Sequence, residues 1–422
     1  VTSTDIASAE GKVRSRPQHV GQHNFPVVDN CLHIGGQPIT TLAERAGDRA
    51  FYAYDSSVMS QRVTELKAQL PSAIQLHYAI KANPMPAVVQ HMSGLVQGLD
   101  VASGAELAVA IATGTASADI SFAGPGKSDA DLRAAVAAGV IIILESSTEM
   151  HRVAALAGET GTLPKVAIRV NPDFELKASG MKMSGGPKPF GIDAEQVPEV
   201  MQVLANLPLD FVGLHIFSGS QNLRPESLIE AHDKTFDLAL RLAEQAPRPL
   251  RWLNIGGGFG VPYFPGEQTL DLKPIMHNLQ RLVDELLAAM PDVEIVMELG
   301  RYLVAEAGLY VCQVSDKKVS RGQTFLITNG GLHHHLAASG NFGQVIRKNY
   351  PVCIGNRVTS DTLENVSVVG PLCTPLDILG ERMPLPAADI GDLVVLFQSG
   401  AYGFTASPHL FLSHPPPLEF LV

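Results

Sequence analysis

The sequence predicts an α/β protein: a (β/α)8 TIM barrel followed by a smaller β-sandwich or β-barrel domain. Three observations lead there. Eight short β-rich runs alternate with Ala/Leu/Glu-rich segments of helical spacing between about residues 76 and 300. That alternation implies parallel βαβ units, and eight of them in about 250 residues match the size of a closed barrel. Past residue 305 the helical spacing stops and the chain becomes β-rich with turns. A chain of 422 residues, 45% hydrophobic, is long enough for both parts.

In chain order, residues 1–48 read as a polar arm and a short strand in "NCLHIGGQPIT" that joins the β-domain. The barrel is expected over 49–305, with strands in "LHYAIKA", "GLDVAS", "DISFAG", "IIILES", "VAIRVN", "FVGLHIF", "RWLNIGG" and "EIVMELG". The segment 306–422 carries "GLYVCQVSDKKV", "QTFLITNGG", "VTSDTLENVSVVGP" and "DLVVLFQSGAY", and is expected to form the β-domain.

Composition excludes several function classes. A net charge of -11 argues against a nucleic-acid or anionic-membrane surface. Cys31, Cys312, Cys353 and Cys373 are dispersed, with no CxxC pair, so neither a zinc site nor a disulfide framework is expected. Dispersed thiols suit a reducing cytoplasm. The polar N-terminal stretch has no apolar signal core, and no apolar run approaches the roughly 18 residues that span a bilayer. The expected location is cytoplasmic.

Chemistry in a barrel sits where strands end. Lys81 closes the first run. Asp100 lies in the second, with Ser103 and Glu106 just beyond. His215 is near the end of the sixth. Glu298, Gly300 and Arg301 close the eighth. Each alone reads most simply as a surface charge or a core histidine; these four strand ends, with the glycine turn after the seventh as a fifth, converge on one mouth and change that. "IGGGFG" after the seventh strand lets bare backbone N–H groups approach an anion, and Arg301 adds a charged fork for the same group. An amine, a phosphate cradle, an acid and an aromatic face together suggest pyridoxal 5′-phosphate (PLP). Lys81 would form the Schiff base, His215 would lie on the ring, and Glu298 would keep the ring nitrogen protonated.

At these residues the chain resembles the fold type III PLP-dependent decarboxylases, the group of the ornithine, arginine and diaminopimelate enzymes, from about residue 25 to the end. "YAIKAN" resembles the family's Schiff-base motif, and "LDVASGAEL" implies supporting roles for Asp100 and Glu106. "LHIFSGSQ" resembles the histidine loop, with Ser220 or Ser218 on phosphate. "IGGGFG" implies Gly256, Gly257 and Gly258 on phosphate. "ELGR" resembles a Glu-Pro-Gly-Arg motif with Leu299 in place of Pro. "GPLCTPLD" resembles the cysteine loop. It implies that Cys373 comes from the partner of a homodimer to protonate the Cα carbanion once CO2 has left, with Asp377 also at the substrate. "QSGAYGFT" resembles the tyrosine loop and implies that Tyr402 reaches the phosphate across the same dimer.

One departure bears on substrate. Many ornithine and diaminopimelate enzymes have an acidic residue directly after the loop cysteine, where it reads the distal amine; here Thr374 stands. "CTPLD", "NPDFELKASGMKM" and "HHHLAASGNFGQVIRKNYP" are similar to two subgroups. One is the exosortase-A-system-associated decarboxylases, the other the carrier-protein-linked glutamate decarboxylase of butirosin biosynthesis. Lys177, Lys182 and Lys188 after the fifth strand form a basic lip on an acidic body, suited to an anionic substrate or an acidic acyl carrier protein. A carrier-bound or modified amino acid is therefore the expected substrate. A free diamino-acid, an amino-acid racemase reaction and a non-catalytic regulator stand as alternatives. Three adjacent histidines, His333–His335, alternate their direction in an extended chain and read as structural or subunit-contact residues, not a metal site.

Overall fold

The computed structural model describes residues 17–174, 181–182 and 186–422, the side chains of 181–182 excepted. All eight expected barrel strands form: Ile74–Ala79, Gly98–Val101, Ile120–Phe122, Ile141–Leu144, Lys165–Asn171, Asp210–Ile216, Trp252–Gly257 and Glu294–Leu299. Each pairs in parallel with the next in sequence. The eighth closes on the first through Ile295↔Ile74 to Leu299↔Tyr78.

The helices between them bury one face each, and their starts follow local chemistry. Ser103 caps Gly104–Ala112 by accepting from Glu106 N–H. Ser128 and Asp131 form a reciprocal capping box at Asp129–Ala138, which ends on Gly139 in the left-handed region (φ 71°). Pro225 opens the 19-residue helix Pro225–Ala243, at a first-turn position where its missing N–H is no loss.

The barrel interior has an apolar base and a polar top. Ile141, Ile143, Ala167, Val212, Trp252 and Val296 form a buried cluster of their own. Above it the same sheet carries His77, Asp100, Ser121, Arg169, His215 and Glu298, all buried. Buried polar groups at one end of an otherwise apolar barrel mark where a ligand is to be met.

The β-domain is built around the 13-residue strand Gly308–Ser320. Its first half pairs with Leu393–Leu396 and its second with Gln323–Thr328. Leu363–Val369 and Ile378–Pro386 continue one side, and Val352–Ile354 the other. Phe51–Tyr54 enters this sheet antiparallel to Gly308–Val311 and pairs with the C-terminal strand Leu418–Leu421. A boundary at residue 49 would have put Phe51–Tyr54 in the barrel. Its burial on both faces is satisfied instead by the β-domain core, against Leu309, Val311 and Val395 on one side and Tyr310 on the other. Cys31–Ile34 belongs to a separate three-stranded sheet with Val27–Val28 and Gln37–Pro38. That sheet docks on the same domain through Leu32 N–H to Gly355 O, 2.7 Å. Among the described residues no helix is long and apolar enough to cross a membrane.

Candidate active site

Lys81 sits in a single 3-10 turn, Ile80–Ala82, directly after the first barrel strand. Ile80 and Ala82 are buried on either side, so the turn throws the lysine alone into the barrel mouth. Gly300 makes this packing possible: a Cβ there would press on Ala82 Cβ and Ala79 O at 2.9 and 3.1 Å. The lysine Nζ lies 3.1 Å from Glu298 Oε1, and His215 Nε2 lies 3.4 Å from Glu298 Oε2. Burial alone would raise the Glu298 carboxyl. The Lys81 ammonium and His215 override it and hold Glu298 well below the usual carboxylate range. The Glu298 charge in turn raises Lys81 above an ordinary lysine, against burial. Each member of the pair keeps the other ionised.

These three residues line a cavity of about 360 Å3, a size typical of small-molecule sites. Arg301 lines it too. Its Nη1 donates to Tyr263 OH at 2.9 Å and its guanidinium lies 4.5 Å from the centre of the Tyr402 ring. Arg301 makes no ion pair among the described residues, so a partly buried cation faces the cavity with neutral partners only. Ser220 lines the same wall, whereas Ser218 does not. Asp100 lines it from the second strand. Phe217 flanks the lysine, with its ring centre 5.8 Å from Nζ.

The other expected residues are placed differently. Glu106 accepts from Ala102 N–H at 2.7 Å and so orders the turn that carries Ala102 to the cavity wall; it is not itself on that wall. Gly256 and Gly258 adopt positive φ (69° and 88°). A Cβ on Gly257 or Gly258 would collide with the carbonyls of Glu298 and Gly219, and Asn222 N–H donates to Gly258 O at 3.0 Å. The three glycines thus lock the seventh strand's turn against the serine loop. Tyr402 requires a correction. It lines the cavity of its own chain, because its backbone N–H donates to Ala82 O, 2.8 Å, one residue from Lys81. It needs no dimer to arrive there.

Cys373, Thr374 and Asp377 do not line the Lys81 cavity. Cys373 is exposed. Asp377, expected at substrate, is buried, and its two oxygens accept from Leu332 N–H at 2.6 Å and Leu372 N–H at 2.9 Å. In this chain it fixes the shape of the cysteine loop. His333–His335 are buried in the β-domain. His334 Nδ1 meets Tyr310 OH at 3.0 Å, and His335 Nε2 meets Ser399 Oγ at 3.0 Å. No metal-binding cluster forms among the described residues. Lys177 and the side chain of Lys182 lie outside the described residues; Lys188 lies within them.

Sequence reasoning passed over Arg169. It lines the cavity from the end of the fifth strand, tied to Glu145 at 2.8 Å and stacked 4.9 Å from the Phe190 ring centre. The rule that singled out Lys81, a cation closing an apolar strand, applies equally to "VAIRVN". Phe217, closing the run of the sixth strand, also lines the site, as do Phe190 and Phe342 on loops with no strand-end signature.

Residues 56–305 match the family described as "Pyridoxal-dependent decarboxylase, pyridoxal binding domain". The chain belongs to this family. It is 39% identical over 396 residues to the L-glutamyl-[BtrI acyl-carrier protein] decarboxylase of Niallia circulans, covering 92% of each chain. It is 32% identical over 382 residues to the 2-[(L-alanin-3-ylcarbamoyl)methyl]-2-hydroxybutanedioate decarboxylase of Staphylococcus aureus, 88% of this chain and 93% of that one. Among solved structures, diaminopimelate decarboxylase of Helicobacter pylori in complex with L-lysine superposes with a TM-score of 0.80 at 26% identity, covering 91% and 94% of the two chains.

The protein is a PLP-dependent decarboxylase of an amino acid or amino-acid derivative, and its cavity fits that cofactor. A partly buried guanidinium without an anionic partner among the described residues, an ionised carboxylate, a buried histidine and a charged lysine converge in one space. Arg301, Ser220 and Tyr402 would hold the phosphate, Glu298 the ring nitrogen, His215 a ring face and Lys81 the aldehyde carbon. The bound cofactor supplies the electron sink for breaking the Cα–carboxylate bond. Glu298, held as an anion, would keep a proton at the ring nitrogen of the bound cofactor. The apolar side chains around the mouth keep water from the departing carboxylate, which favours its loss as neutral CO2.

Proposed function

We propose that the substrate is an amino acid joined to a carrier protein or otherwise modified at its distal end. A second copy of the chain would complete the site with Cys373. The observation that carries the substrate reading is the charge of the cavity wall. Among the described residues its only carboxylates are Asp100 and Glu298, both on barrel strands beneath the lysine. The cavity is also lined by Ala123, Gly124, Pro125, Phe190 and Phe342, which carry no carboxylate to pair with a free distal ammonium. Thr374, after the cysteine, adds no charge either. Burying an unpaired ammonium against such a wall would cost several kcal/mol, whereas a neutral amide or thioester would meet no such penalty. The relative named for a carrier-bound glutamyl substrate supports the same reading. Four unpaired thiols fit a reducing, cytoplasmic setting.

Carbon dioxide release from glutamyl and other aminoacyl carrier proteins, set against free diaminopimelate, ornithine and lysine, tests this. Turnover of the carrier-bound substrate with little from the free diamino-acids is expected. Efficient turnover of free diaminopimelate, with none from any charged carrier, would overturn it.

A further inference from the structure

Below Lys81, the first strand carries a histidine inside the barrel. His77 is 2% exposed, and the strand registers set it beside Glu298 on one side and Gly98 on the other. Its Nδ1 lies 3.4 Å from Asp100 Oδ1. Ser121, register partner of Asp100 on the third strand, donates its hydroxyl to that same oxygen in a short hydrogen bond. The carboxylate can only accept, so Nδ1 carries the imidazole proton.

Three features set this group apart from a satisfied core cluster. Both donors converge on one oxygen, while Asp100 Oδ2 is buried without a hydrogen-bond partner among the described residues. Such an atom costs about 1–3 kcal/mol unless a donor arrives. Asp100 also lines the cavity with Lys81. Finally, residue 98 is glycine, and a Cβ there would collide with the imidazole ring of His77. The second strand has given up a side chain to make room for the histidine.

We propose that His77 is a positioning residue for the decarboxylase. Together with Ser121 it anchors Asp100 through Oδ1, so that Oδ2 stays available to a cationic nitrogen entering the cavity that Asp100 shares with Lys81. The charged and titratable groups around Asp100 are then His77, in contact with Oδ1, and Lys81, Arg169, His215 and Glu298, which line the same cavity. Fixing one oxygen from behind orients the carboxylate plane, and a supporting partner of this kind sets reactivity without touching the reactants.

This rests on PLP occupying the Lys81 cavity, and it holds for a free or a carrier-bound substrate alike. The test is the absorbance of the bound cofactor across neutral to alkaline pH, in the native holoenzyme and in His77→Phe, His77→Gln and Ser121→Ala. An Asp100 carboxylate that is no longer fixed stabilises a neighbouring cationic nitrogen less. His77→Phe should therefore lower the titration midpoint by about one pH unit. Ser121→Ala should lower it by less, and His77→Gln, whose amide can donate to the same oxygen, should recover most of the loss. A His77→Phe protein that melts earlier but titrates like the native one would overturn the inference. Should that variant not fold, an unmoved midpoint in Ser121→Ala overturns it equally. A native protein that takes up no PLP would overturn the cofactor reading as well, so the two failures are told apart.

Discussion

Lys81 and Cys373 both stand on short turns beside β-strands, yet their surroundings differ in almost every physical respect. Lys81 faces a cavity whose acid, histidine, arginine and tyrosine come from the same chain and are fixed by burial and pairing. Cys373 is exposed, with no part in that cavity, although the loop beneath it is tightly held. Glycine appears at both places for the same reason. Gly300 lets the eighth strand close on the lysine turn, and Gly331 and Gly370 leave room for the Asp377 carboxylate under the cysteine loop. On the function proposed above, the exposed thiol on this braced loop would serve the cavity of a second copy. Lys81, Glu298, His215, Arg301 and Tyr402 line one cavity of one chain, and on that proposal Cys373 is what a second copy would add.

The sharpest break of that contrast is Lys81→Ala. Carbon dioxide release should fall by about 10,000-fold, and borohydride should no longer fix PLP to the protein. Next comes the pairing of the two halves. Lys81→Ala and Cys373→Ala should each be nearly inactive alone. If dimers share sites, mixing them in equal amounts should restore about a quarter of native activity, because half of the random pairs contain one intact site. Activity that stays flat on mixing, measured alongside subunit exchange, would show that the two residues do not serve a common site across an interface.

Asp377→Ala sharpens the comparison from the loop side. Removing a carboxylate that takes two backbone N–H groups leaves both unpaired, at a cost of about 2 kcal/mol. Turnover should drop roughly 10-fold through a misplaced Cys373, while PLP uptake at Lys81 stays native. A parallel loss of cofactor affinity would mean that the two regions are not independent.

The two regions are also unequally legible in the sequence. The eight barrel strands follow one another in space as they do in the chain, so local periodicity is sufficient to find them, and their ends locate Lys81, His215, Glu298 and Arg301. Phe51–Tyr54 shows the limit. Its apolar run and the helix after it look like one more βα unit. Its partner strand begins at Gly308, far along the chain, and no local pattern records that pairing. Asp377 misleads for a related reason: a carboxylate in a motif cannot be told from a loop brace until the N–H groups it accepts from, one of them on Leu332, are in view. His77 stands in plain sight in "LHYAIKA" but carries no signal of its own, because its meaning comes from Asp100 and Ser121 on two other strands.

The smallest expected effect concerns what lies behind the cysteine loop. Asp377 holds Leu332 N–H, and the next three residues are His333, His334 and His335. His334 and His335 have hydrogen-bond partners; both ring nitrogens of His333 lack one among the described residues. Burial, with His414 and His409 adding to it, lowers His333 from 6.5 to about 4. A histidine lowered in the folded state binds its proton first in the unfolded chain. Its contribution to stability is therefore complete above pH 6.5 and is lost as the pH falls from 6.5 towards 4. His333→Phe removes that effect without breaking a hydrogen bond, so urea midpoints at pH 7 and pH 5 should lie closer together in the variant, by about 2 kcal/mol in free energy. His334→Phe would not give so clean a result, because it also strands Tyr310 OH and costs stability at pH 7. An unchanged pH dependence in His333→Phe would mean that His333 titrates freely in the folded protein, and that the β-domain under the cysteine loop is more open to water than the barrel beneath Lys81.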